Sequence, residues 1–152
     1  MKTTGLRDEE TTFLNVDLDI WAAYDLAPLV AALGPHVSDM FTGAAQVEEG
    51  AYQTHLELVA REREPWNPDA AIQAFVRLIE DLPPAARRLW DVANLRNFDI
   101  GIQGGVTPQA FQFSLLPETL AAVSRLKANV ALTVYAVDGA HLKRQHRRRA
   151  KG

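Results

Sequence analysis

Apolar and polar residues alternate strictly from Thr12 to Trp21. Leu14, Val16, Leu18 and Ile20 fall on one side of an extended chain. Asn15, Asp17 and Asp19 fall on the other, and Trp21 closes that polar row. A period of two predicts a strand with one buried face. The same alternation returns four times. Tyr52, Thr54, Leu56 and Leu58 oppose Gln53, His55, Glu57 and Val59. Phe98, Ile100 and Ile102 oppose Asp99, Gly101 and Gln103. Phe111, Phe113 and Leu115 oppose Gln112 and Ser114. Val130, Leu132 and Val134 oppose Ala131, Thr133 and Tyr135. Val37 to Phe41 begins a further strand, and Gly43 to Gly50 reads as a weak strand or an irregular turn. Gly104-Gly105 and Pro108 predict a hairpin between 98–103 and 111–115.

Helical spacing separates these runs. Leu26, Leu29, Val30 and Leu33 form one stripe, with Asp25 placed to cap the first turn and Gly34 to end the last. Asn67-Pro68-Asp69 is a helix start: an Asn cap, a Pro where its missing N–H costs nothing, and an acid in the first turn. Ile72, Phe75, Val76, Ile79 and Leu82 continue it. Pro83-Pro84 breaks it, and Ala86, Leu89, Trp90 and Ala93 resume on a second piece. Pro117-Glu118-Thr119 opens a last helix with Leu120, Val123 and Leu126 facing inward. The fold class expected is α+β: a mainly antiparallel sheet of five to six strands with about three helices packed on one face. The chain divides into a loose lead-in at 1–11, one domain at 12–138 and a basic, disordered tail at 139–152.

The segment Phe111 to Tyr135 carries a further signal. It runs as a strand, then Leu115-Leu116-Pro117-Glu118-Thr119-Leu120, a helix, and a strand closing on Tyr135. This ending resembles that of a family of uncharacterised bacterial domains of unknown function. The Asp17-x-Asp19 strand and the helix behind it fit the same plan. The resemblance implies a small partner-binding protein, in some members a toxin-immunity protein. It brings no catalytic residues.

Composition narrows the classes. Of 152 residues, 47% are hydrophobic and 23% charged, which is ordinary for a globular chain. The absence of cysteine excludes disulfides, thiol catalysis and thiolate metal sites, and fits a reducing compartment. No apolar run approaches the roughly 20 residues that cross a bilayer, so no membrane partner is expected. The first ten residues have no apolar signal region, and a cytoplasmic location is the expectation. Charge is unevenly spread. Six of the 16 basic residues lie in 141–152, leaving ten against all 19 acids in the first 140. The tail residues Lys143, Arg144, Arg147, Arg148, Arg149 and Lys151 can attract nucleic acid or another anion. No aromatic is interleaved with them, so base stacking is not indicated.

The outward face holds the candidate chemistry. Asn15, Asp17, Asp19, Trp21, His55, Glu57, Asp99 and Gln103 form the candidate partner-facing surface, with Gln112, Ser114, Thr133 and Tyr135 beyond them. Solvent-facing strand positions are polar for no further reason than solvation. Carboxylates with a histidine also suit a divalent cation or acid–base work. Asp17, Asp19, His55, Glu57 and Asp99 would then serve a metal-assisted hydrolase. No paired-histidine spacing or calcium-loop series is present, and no serine has a nucleophile-elbow context. Gly101 to Gly105 has no helix start behind it and reads as a turn, not a phosphate loop. No catalytic residue, metal ligand or cofactor is assigned. The reading is a non-catalytic protein-binding module, with partner or self-association through a sheet face or edge. Trp90 belongs to the core; Trp21 and Trp66 are interface anchors or lids over the core edge.

Overall fold

A computed structural model describes residues 10–62, 65–137, 147, 150 and 151. The strands are β1 (Thr12–Ala22), β2 (Val37–Ala44), β3 (Tyr52–Leu58), β4 (Leu95–Gln103) and β5 (Asn129–Tyr135). The helices are α1 (Ala27–Leu33), α2 (Pro68–Glu80), α3 (Pro84–Asp91) and α4 (Pro117–Arg125). The sheet has the order β2-β3-β1-β4-β5. Three neighbour pairs are antiparallel, and β4 with β5 is parallel. The fold is α+β, as the alternation predicts.

Local chemistry sets the helix ends. The Asp25 carboxylate accepts from the Ala27 N–H at 2.9 Å, and Gly34 leaves α1 at φ 62°. Asn67 Oδ1 accepts from the Ala70 N–H at 2.8 Å, the N-cap bond its type predicts. Pro84 stands at the start of α3, so the expected broken helix is two helices.

One core lies between the sheet and the helices. Val16, Leu18, Ile20, Leu56, Phe98 and Ile100 from the sheet meet Leu29, Ile72, Phe75, Ile79 and Trp90 from the helices. Phe75 and Phe98 pack as tilted rings 5.8 Å apart. Trp90 is fully buried and its indole N–H donates to Leu126 O at 3.2 Å. Burying the indole therefore leaves no donor unsatisfied. The Tyr24 hydroxyl donates to Leu89 O, tying the β1–α1 turn to α3.

Leu120, expected to face inward with Val123 and Leu126, is 49% exposed on the flank of α4. Two further expectations fail, each for a definable reason. Leu14 is 41% exposed rather than inward-facing. The pairing of β1 with β4 slips between Phe13 and Asn15, so Leu14 is the extra residue of a β-bulge. Phe13 takes the inward side instead and stacks on Trp66 at 4.9 Å, which makes Trp66 a lid over the core edge. The second failure is the hairpin. Residues 111–115 form no strand, and 104–116 is an irregular connection leading to α4. The chain leaves β4, crosses through α4 and returns as β5 parallel to β4. A parallel neighbour needs such a crossover and cannot follow a tight turn. Gln112 and Ser114 consequently do not join the sheet face.

Candidate functional site

Sheet register assembles the outward residues. Asp17 in β1 stands opposite Glu57 in β3 and Asp99 in β4, while Asp19 stands opposite His55 and Asn97. Directly opposed side chains in a sheet begin about 5 Å apart at Cβ, so Asp17 has a carboxylate on both flanks. Like charges at that spacing are tolerable only with protons, cations or donors between them.

The donors are present. His55 spans two acids, with Nδ1 2.5 Å from Asp19 Oδ1 and Nε2 3.4 Å from Asp17 Oδ2. Asn15 Nδ2 donates to Asp17 Oδ1 at 2.8 Å and to Glu57 Oε1 at 2.9 Å. Thr133 Oγ1 lies 2.8 and 3.0 Å from the two oxygens of Asp99. One Asn amide thus bridges two acids, one imidazole bridges two acids, and one hydroxyl serves the remaining acid.

Gly101 makes the first of these bridges possible. It stands opposite Asn15 in β4, and a Cβ there would lie 2.9 Å from Asn15 Oδ1. The missing side chain leaves the space in which the Asn15 amide lies. Gly101 therefore belongs to the site rather than to a turn.

The cluster shifts its own titrations. Burial pushes the Asp17 carboxyl up to about 6; Glu57, Asp19 and Asp99 add to the rise and His55 opposes it. Burial alone would lower His55, but its hydrogen bond to Asp19 and the charges of Asp19, Asp17 and Glu57 outweigh burial. The net shift of the imidazole is upward. At mildly acidic pH, up to about 6, Asp17 therefore retains a proton that a free carboxylate would have lost.

The structure brings together Asn15, Asp17, Asp19, His55, Glu57 and Asp99 from the candidate surface. Trp21 lies at the far end of β1, opposite Gln53 and Leu95, and Gln103 at the other end, where its amide donates to Gly104 O. Neither touches the cluster in any contact described. Phe41 is an addition that alternation misses. The β2–β3 pairing slips between Asp39 and Phe41, which makes Met40 the extra residue and sets Phe41 opposite His55. His36 lies elsewhere, with its Nδ1 2.8 Å from Glu62. Of the tail candidates, Arg147 and Lys151 are exposed, while Lys143, Arg144, Arg148 and Arg149 lie outside the described residues.

Asp17, His55 and Glu57 can each offer one ligand atom to a metal ion, all within 4.8 Å of one another. His55 Nε2 and Asp17 Oδ2, 3.4 Å apart, lie within the roughly 4.2 Å that two ligands at about 2.1 Å from one ion can span. A groove of about 230 Å³ lies elsewhere, between α2 and α4, lined by Gln73, Val76, Arg77, Glu118, Thr119 and Ala122. Thr119 is buried there and accepts from Gln73 Nε2 at 2.8 Å, so its hydroxyl is part of helix packing.

Among the described residues no helix is long and apolar enough to cross a membrane. No family model matches the chain, and no curated protein or solved structure is significantly similar to it.

Proposed function

We propose that the protein is a non-catalytic binding module whose open sheet face receives a positively charged protein partner. The observation that carries this reading is the hydrogen-bonded array of Asp17, Asp19, Glu57 and Asp99 on the sheet face opposite the helices. A preordered anionic surface loses little conformational freedom on binding, and it speeds encounter with a cationic partner. Phe41, 37% exposed beside His55, supplies an aromatic contact at the rim. The resemblance at Phe111 to Tyr135 suggests a toxin-immunity protein as the specific form of this module.

The test uses the tagged full-length chain to retrieve a partner, followed by calorimetry of the purified pair across a salt series. Binding should weaken with salt and fall by at least roughly tenfold in Asp19→Lys, a change of about 1.4 kcal/mol or more. A partner that binds Asp19→Lys and the parent chain equally would refute the role of this face. If the partner is a toxin, co-expression of the chain should restore growth and Asp19→Lys should not.

The proximity of Asp17, His55 and Glu57 favours one second reading, a metal-assisted hydrolase. Two carboxylates and an imidazole suit Mn²⁺, Zn²⁺ or Mg²⁺. Calorimetric titration with each ion, with Asp17→Ala and Asp19→Ala as controls, separates the readings. No heat from any of the three ions would remove the second.

A further inference from the structure

The two edges of the sheet are built differently. β2 is interrupted by the Met40 bulge and carries Asp39, whose carboxylate accepts from the Thr42 hydroxyl at 2.7 Å. Bulges and charges are what keep an edge strand from pairing with another chain. β5 has neither. Its seven residues, Asn129-Val-Ala-Leu-Thr-Val-Tyr135, include no charge and no proline, and they pair with β4 without a slip. Among the described residues nothing pairs with its outer side.

The surface next to this edge is apolar. Leu132 is 58% exposed and Val134 64%, although both share the inward side with Ile100 and Ile102. α4 adds to the patch. It meets α2 through Thr119, which bonds Gln73, and through Arg125, which bonds Glu80 at 2.9 Å. At 100° per residue, Leu116 and Leu120 then lie on the side of α4 turned away from α2, toward the β5 end. Both are about half exposed.

We propose that β5 is the interface of a two-fold dimer of this chain, pairing antiparallel with its own copy. The edge is self-complementary. Centred on Leu132, the register sets Leu132 against Leu132, Val130 against Val134, Ala131 against Thr133 and Asn129 against Tyr135. No pair brings like charges together, and the β-branched pairs are those that favour antiparallel contact. A two-fold axis normal to the sheet keeps each face on its own side. The result is a continuous ten-stranded sheet, twice the five of one chain. Leu116 and Leu120 of the two α4 helices close over Leu132 and Val134. A stable interface needs roughly 800 Å² from each partner, more than one strand supplies, so the α4 leucines are required. Occupancy of this edge is independent of the acidic face, which remains open on both copies.

Sedimentation velocity of the full chain over a wide concentration range tests the proposal. The expected result is a monomer–dimer equilibrium, weakened roughly tenfold or more by Val134→Lys, which sets a cation against an apolar neighbour at the edge. Met40→Lys on the opposite edge should leave it unchanged. Val134 is largely exposed, so the variant should fold, and circular dichroism is the check. Because the chain lacks cysteine, Leu132→Cys gives a second reading: the oxidised variant should form a disulfide-linked dimer. A chain monomeric at every concentration would overturn the proposal. So would dimers that survive Val134→Lys but not Met40→Lys. A monomer in which even the β5 amides turned away from β4 are protected from exchange would show the edge covered within one chain and also overturn it.

Discussion

β1 and β5 alternate equally well in sequence and meet opposite fates. β1 lies at the centre of the sheet, and Val16, Leu18 and Ile20 are at most 2% exposed. Its outward residues are half-buried among β3 and β4. β5 lies at the edge, where Leu132, Val134 and Tyr135 are all at least 50% exposed. The period of two describes only which side each residue points to. What covers each side is decided by strand order and helix placement, neither of which the period encodes.

The sharpest way to break this contrast is to truncate both strands. Leu18→Ala should lower the unfolding free energy by about 2–5 kcal/mol in chemical denaturation, through lost burial and a residual cavity. Leu132→Ala, at concentrations where the chain is monomeric, should change it by less than about 0.5 kcal/mol. Equal costs would mean that the edge is covered after all.

The second effect concerns the outward half of β1. A carboxyl raised to about 6 by burial favours the protonated folded state. Its contribution is fully present below the unfolded value of 3.8 and is lost as pH rises through about 6. His55, also raised, acts in the same direction: its contribution is present below its ordinary 6.5 and lost as pH passes the raised folded value. Stability should therefore decline from mildly acidic toward alkaline pH. Asp17→Asn should gain about 1–2 kcal/mol over the parent chain at pH near 8, after allowance for partial solvent screening. The gain should shrink toward pH 4, as thermal melts across pH would register. A gain independent of pH would indicate altered packing instead.

A smaller effect should follow from Gly101→Ala. The added Cβ would displace the Asn15 amide from Asp17 and Glu57, at a cost of about 1 kcal/mol, the worth of a hydrogen bond. Combined with Asn15→Ala it should cost little more than either change alone. A double-mutant cycle measures that coupling.

Much of this fold was legible from residue types. Asn67-Pro68 and Asp25 mark their helix starts because capping is a local interaction. The runs around Asp17, His55, Asp99 and Thr133 are strands in the structure because each has a real inside and outside. What was not legible depends on pairing. The bulges at Leu14 and Met40 are two-strand events, and each moves its neighbours to the opposite face: Phe13 inward, Phe41 outward. The run 111–115 alternates but pairs with no strand among the described residues, since the parallel return of β5 takes the place beside β4. Within the site, the acids and His55 were visible as types, but their convergence required the register. Gly101 carried no readable signal, because its role is the space it leaves for Asn15.

The parallel return of β5 has one further consequence. Thr12 and Tyr135 both stand beside Gln103, one on each flank of β4. Two strand spacings, about 10 Å, separate the points where the chain enters and leaves the sheet. A few residues of linker suffice to join them. The domain can therefore be inserted whole into a surface loop of a host protein. Equally, it can be recircularised and opened at the turn between β2 and β3, with every strand pairing kept.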